Sequence, residues 1–214
     1  SDFVLRQIAD PSSGFAWAGQ ENFNALGQAV FVWARERLVE LCGLAKLSGF
    51  EPAVPFATPG LADRAAPVLV LVPGDVPGGD CGTWSRRLCI NTTTTSGAMF
   101  EYVFRAKDQG WSVLLADTNH ATSPHKHMVE LWERLLAPSK MTQLLMVGHS
   151  YGGSVATGLL HSAPAVCERL GAIACTDGAH APPRRRPRVA PPAGRARALL
   201  GFAARRGAAR RLLP

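Results

Sequence analysis

Gly148-His149-Ser150-Tyr151-Gly152 places glycines two positions before and two after a serine, the spacing of a nucleophile elbow. The serine backbone in such a turn is strained, and side chains on its flanks would collide with it, so glycine is needed there. The chemistry it would support is acyl transfer. The hydroxyl attacks a carbonyl, an oriented base takes its proton, and amide donors hold the oxyanion. The backbone of Tyr151 and that of Gly74 and Asp75 would supply those donors. The last two open a glycine-rich stretch from Gly74 to Gly82 for which a plain turn is the competing reading. Asp177 would be the acid, and His180, three residues on, is the nearby histidine that would stand in as base. Hydrolases of this architecture take their base from a loop after the last strand, and no such strand is legible here. Marginal activity is therefore expected, and a hydrolase-shaped scaffold without turnover competes with a working esterase.

These residues need a sheet edge to bring them together. Leu144 to Val147 is an apolar run without alternation, as in a strand covered on both faces. A helical stretch, Val155 to His161, follows the elbow. Val68 to Val72 is the clearest strand and is stopped by Pro73-Gly74; Ser112 to Ala116 and Leu170 to Cys175 complete a set of four. Helices are expected over Ala98 to Lys107 and Met128 to Leu136. A long amphipathic helix runs from Glu21 to near Gly43, with Phe23, Leu26, Val30, Trp33, Leu38 and Leu41 at helical spacing. Residues 48 to 66 read as a connecting loop, and Phe15 and Trp17 as a short strand after the turn Pro11 to Gly14. Strands separated by helices predict a doubly wound, mainly parallel α/β sheet with its polar strand ends on one edge.

Asp117 with His120, His125 and His127 invites a metal reading, but these residues fall in a proline-containing stretch without a ligand motif, so a solvated loop is expected and no metal or cofactor is assigned. Trp84 with Arg86 and Arg87 would bind an anion or a partner's acid; pairing with Asp75 or Asp80 is the alternative.

The net charge of +7 divides unevenly. Residues 181 to 214 hold ten arginines and no acid, so subtracting ten from +7 leaves −3 for residues 1 to 180. Of those last 34 residues, 28 are Ala, Arg, Pro or Gly, a composition that predicts a disordered basic tail after a single domain spanning residues 1 to 180. Such a tail would attract nucleic acid non-specifically through counterion release. Five cysteines without metal-ligand spacing predict reduced thiols. No apolar run approaches the roughly 20 residues that span a bilayer, and the first residues lack the pattern of a secretory signal. Without an initiator methionine, the chain is expected to be a processed product or a fragment.

With these residues in view, the chain resembles the Argonaute-binding-protein-two-like domain family, found in metazoan cotranscriptional regulators, a fungal Argonaute chaperone subunit and fungal class-two histone deacetylases. The resemblance covers roughly residues 20 to 180. Its most specific part is Gly82 to Asn91, which is similar to that family's Gly-x-Trp-x-Arg-Arg-Leu-x-Ile-Asn block through Trp84, Arg86, Arg87 and Asn91. His149 to Gly153, including Gly152, and Thr176-Asp177 with His180 match two more blocks in the same order. The resemblance implies an α/β-hydrolase-type fold with Ser150 at the nucleophile position. It also implies a protein partner, Argonaute or a chromatin or silencing complex, and a place in the nucleus, with the cytoplasm as a second compartment. Pro73-Gly74 stands where that family has His-Gly, and the arginine-rich tail stands where it has further strands and a late histidine, so the fold is expected to be C-terminally incomplete.

Overall fold

The computed structural model describes residues 4–75, 79 and 81–178. Its centre is a six-stranded mixed sheet in the order β1-β2-β4-β3-β5-β6. The strands are β1 (Ala45–Lys46), β2 (Phe56–Ala57), β3 (Val68–Val72), β4 (Ser112–Leu115), β5 (Leu144–His149) and β6 (Leu170–Thr176). β3, β4, β5 and β6 are mutually parallel, whereas β1 and β2 are antiparallel additions at one edge. The fold is of the α/β-hydrolase type, and the four expected strands are its parallel part. The stretch from 48 to 66 is thus more than a loop, since it contains β2 and a short 3-10 turn at Leu61–Asp63.

Helices cover both faces. Along β3, Val68, Val70 and Val72 join one core with Leu114, Met146, Met128, Leu131 and the apolar side of α6 (Tyr151–Ser162). Leu69 and Leu71 point the other way, to Val113, Leu115, Ala34, Leu38, Phe100 and Val103. The period of two along each strand therefore splits the core into two layers. On the second face lie α1 (Gln20–Glu40) and α4 (Phe100–Asp108). α1 buries Val30, Phe31, Ala34 and Leu38, so the stripe is shifted from the expected one, and Leu41 is left half exposed. In α4 Phe100, Val103 and Ala106 are buried, while Tyr102 turns outward against Trp84.

Two corrections concern the connections. No strand forms at Phe15 and Trp17; their rings pack around Phe23 instead. α5 (Pro124–Leu131) begins four residues before the expected Met128, because Ser123 caps it and Pro124 occupies its first turn, and it runs on as a wider π turn over Trp132–Leu136. All five cysteines are free thiols, as expected. Burial pushes Cys42 up to about 11 against the opposing pull of Lys107, and Cys89 up to about 12. The arginine-rich tail lies outside the described residues.

Candidate functional site

The elbow is present in full. Ser150 follows the last residue of β5 and precedes α6, with φ 52° and ψ −122°. That conformation is sparsely populated for a residue with a side chain and costs on the order of 1–3 kcal/mol. Neighbouring backbone holds it: Ser150 N–H donates to Thr176 O at 2.9 Å, and Ser150 O accepts from Gly153 N–H at 3.0 Å. The glycines are there for space. A Cβ on Gly148 would stand 2.6 Å from Gly152 O, and one on Gly152 would stand 2.3 Å from Val72 O and 2.4 Å from Pro73 O. α6 therefore starts in direct contact with the end of β3.

That contact brings the oxyanion stretch to the serine. A Cβ on Gly74 would meet Ser150 Cβ at 3.1 Å and His149 O at 3.2 Å. Gly74 is buried, and Asp75 beside it is exposed. Tyr151 is the first residue of α6, so Ser150, Tyr151, Gly74 and Asp75 gather at one sheet edge. Asp177 has φ 48° and lies exposed one residue past β6. His180 lies outside the described residues. Among the described residues no side chain hydrogen-bonds to Ser150 Oγ.

His149 has a more definite setting than the sequence suggested. It pairs in register with Thr176, and its Nδ1 is 3.1 Å from Thr176 Oγ1. Trp84 lies against the ring at 6.0 Å between centroids and is itself packed edge-on against Tyr102 at 5.1 Å. Burial lowers the His149 pKa below its ordinary value, opposed by the charge of Asp177 and by the backbone of Thr176, so the ring is neutral at pH 7.

The remaining block residues are largely structural. Ser85 caps α2 (Arg86–Asn91), whose Arg86 lies with its guanidinium 5.0 Å from the Phe23 ring centroid. Gly27 makes room for it, since a Cβ there would be 2.1 Å from Arg86 Cδ. Arg86 thus joins α2 to α1 through a cation–π contact, and Arg87 and Asn91 are exposed. Asp80 lies outside the described residues.

The segment expected to be a solvated loop is a loop over residues 118 to 123, where His120 is exposed, and is buried or helical on either side. Asp117 is buried, and its carboxylate accepts Val54 N–H at 2.7 Å and lies 2.9 and 3.0 Å from His120 Nδ1. His125 and His127 belong to α5. His125 packs edge-on against Tyr151 and occupies the space beside Gly158, and His127 is buried against Phe50. The acid and histidine at the end of β4 were visible in the sequence, but Val54, whose backbone N–H donates to the buried acid, comes from 63 residues away. Among the described residues no three His, Cys, Asp or Glu side chains converge as a metal site would require. No described helix is long and apolar enough to cross a membrane.

No family model matches the chain. A FAM172 family protein homolog from Caenorhabditis elegans is 29% identical over 164 residues, which is 65% of this chain and 50% of the relative. The cotranscriptional regulator ARB2A of Mus musculus is 22% identical over 232 residues, 75% of this chain and 55% of the relative. The chain therefore spans about half the length of these curated relatives. Among solved structures, a histone deacetylase from Saccharomyces cerevisiae superposes with a TM-score of 0.51 at 10% identity, over 71% of this chain and 68% of that one. The histone deacetylase Clr3 gives 0.51 at 12% identity, over 70% of this chain and 26% of that one. At such identities the two structures speak for the fold alone. The sequence relatives, the elbow and the Trp84 to Asn91 block agree with one another and support the resemblance to the Argonaute-binding-protein-two-like domain family.

Proposed function

We propose that the chain is a regulatory module of hydrolase shape that works in the nucleus by binding protein partners in Argonaute-linked small-RNA silencing, heterochromatin or cotranscriptional regulation. Kinship with a cotranscriptional regulator supports the regulatory part. The observation that carries binding over turnover is the Ser150 hydroxyl, to which no described side chain offers a base. A tagged full-length chain, crosslinked in cells and recovered from nuclear extract, tests it by quantitative mass spectrometry. Enrichment of an Argonaute or a chromatin-silencing subunit over a tagged control is expected. Exclusion from nuclei, or recovery of neither class, removes the reading.

A second reading is a serine hydrolase acting on a small ester or acyl group, favoured by the strained Ser150 and the Gly74 contact. Asp177 and His180 are its proposed acid and base, with Tyr151, Gly74 and Asp75 as its oxyanion residues. Covalent labelling by a fluorophosphonate probe that disappears in Ser150→Ala is its test. The arginine-rich tail supports a third, non-specific association with nucleic acid. Binding that falls steeply with salt and is lost on deleting residues 182 to 214 is expected, and binding retained after that deletion contradicts it.

A further inference from the structure

The sequence gives His149 no role beyond membership of a motif, yet its ring is fixed on three sides. Nδ1 is taken by Thr176 Oγ1, and Trp84 packs against the ring. Cδ2 lies 3.7 Å from the point where a Gly74 Cβ would sit, the same point that is 3.1 Å from Ser150 Cβ. The imidazole edge and the serine therefore flank one glycine. Nε2 is next to Cδ2 in the ring and has no hydrogen-bond partner among the described residues.

We propose that His149 is a substrate-contacting residue of the Ser150 site, its Nε2–H donating to the acyl oxygen of an ester bound there. This rests on reading Ser150 as a nucleophile. The proposal requires the tautomer with its hydrogen on Nε2, in which Thr176 Oγ1–H donates to Nδ1 across the 3.1 Å contact, because the bond made by one ring nitrogen sets the protonation of the other. When Ser150 Oγ bonds to the carbonyl carbon, the C=O π pair moves onto the oxygen, and that oxygen takes the Nε2–H hydrogen bond beside the Tyr151 amide. The serine proton leaves to solvent water. Collapse of the adduct expels the alkoxide, which takes a proton from water, and a water molecule later hydrolyses the acyl-serine. A neutral imidazole suits this role, since it donates without drawing a counter-ion into the site. The burial that keeps His149 uncharged at pH 7 is consistent with it.

The test measures the rate of adduct formation with an alkyl fluorophosphonate by intact-protein mass spectrometry. There the serine oxygen displaces fluoride from phosphorus, and the phosphoryl oxygen occupies the oxyanion position. The variants are His149→Phe, which keeps a ring against Trp84 but has no donor, His149→Gln, which keeps an N–H, and Thr176→Val on the exposed end of β6. His149→Phe should label about 100-fold more slowly, the usual cost of one oxyanion donor. His149→Gln should stay within about tenfold of the parent, and Thr176→Val should fall between the two. Should His149→Phe not fold, the Gln and Val variants decide alone: parental rates in both overturn the proposal. So does a His149→Gln rate about 100-fold down, together with a parental rate that climbs as the imidazole deprotonates, which would make His149 a base. A parent that never labels removes the nucleophile reading and this inference with it. A parent that labels through Ser150 regardless of His149 removes this inference alone.

Discussion

Gly152→Ala tests whether the elbow is wedged against β3. The added methyl would lie 2.3 Å from Val72 O and 2.4 Å from Pro73 O, and both obstacles are backbone carbonyls at the end of a fully buried strand. No side-chain rotation relieves that overlap, so α6 must lift or β3 must shift, at about 3 kcal/mol, the upper end for overpacking a tight site. Alanine returns about 1 kcal/mol through its better helix propensity in the first turn of α6, leaving a net loss of about 2 kcal/mol. Gly158→Ala, in the same helix, is the control. Its methyl would meet His125 Cδ2 at 2.6 Å, the edge of a half-buried side chain that can turn away, so a change within about 1 kcal/mol is expected. Urea denaturation followed by far-UV circular dichroism measures both, the midpoint shift being converted through the common slope. If Gly152→Ala is as stable as the parent, or less damaging than Gly158→Ala, α6 does not start against β3 as described and the placement of Gly74 beside Ser150 loses its support.

Ser150→Gly should raise stability by about 1 kcal/mol, because glycine adopts φ 52° without the strain that serine carries; an unchanged or lower urea midpoint counts against a strained elbow. Arg169 donates to the carbonyls of Leu136, Ala137, Ser139 and Met141, so Arg169→Leu should cost about 2 kcal/mol by orphaning acceptors at the end of the π turn, and a loss under about 0.5 kcal/mol would show those bonds to be idle. Burial lowers the pKa of His127, opposed by Asp117 and then Glu130, so the unfolded chain takes up its proton first as pH falls. Stability from this group is complete above about pH 6.5, its unfolded value, and declines below it by up to about 1.4 kcal/mol per pH unit. His127→Phe should flatten the pH dependence of the urea midpoint between pH 6.5 and 5, and an unaltered slope would refute that assignment.

What was legible in the sequence, and what was not, follows from how far apart the partners lie. β3, β4, β5 and β6 were readable because each is a continuous apolar run, which a strand buried on both faces demands. β1 and β2 have two residues each, too few for any period, and exist only because Phe56 and Ala57 find β4 across the sheet. The start of α5 is a cap, Ser123, followed by a first-turn proline, Pro124, and a proline between polar residues reads equally as a loop marker. α2 was hidden because its identity lies in the cap Ser85 and in Arg86 packing on Phe23, neither of which produces an apolar stripe. At the site, the elbow was legible from local spacing alone. The burial of Asp117 was not, since a backbone amide far away in the chain accounts for it.

The elbow and any chemistry built on it depend on different interactions, which explains how one turn accommodates both proposed roles. Ser150 is held by the carbonyl of Thr176, by Gly153, and by the contacts of Gly152 with β3 and of Gly74 with Ser150 itself. None of these involves an acid or a base. A strained serine therefore persists whether or not a histidine ever reaches it, and its presence is evidence for the scaffold before it is evidence for hydrolysis. Chemistry would have to come from groups whose only employment is at the site, and among the described residues the free Nε2 of His149 meets that condition most directly. A binding module would keep the glycines and Thr176 O while tolerating loss of the Ser150 hydroxyl. Partner recovery by Ser150→Ala thus separates the two roles at a single atom: retained recovery supports the module, and recovery lost with the hydroxyl refutes the independence of scaffold and chemistry.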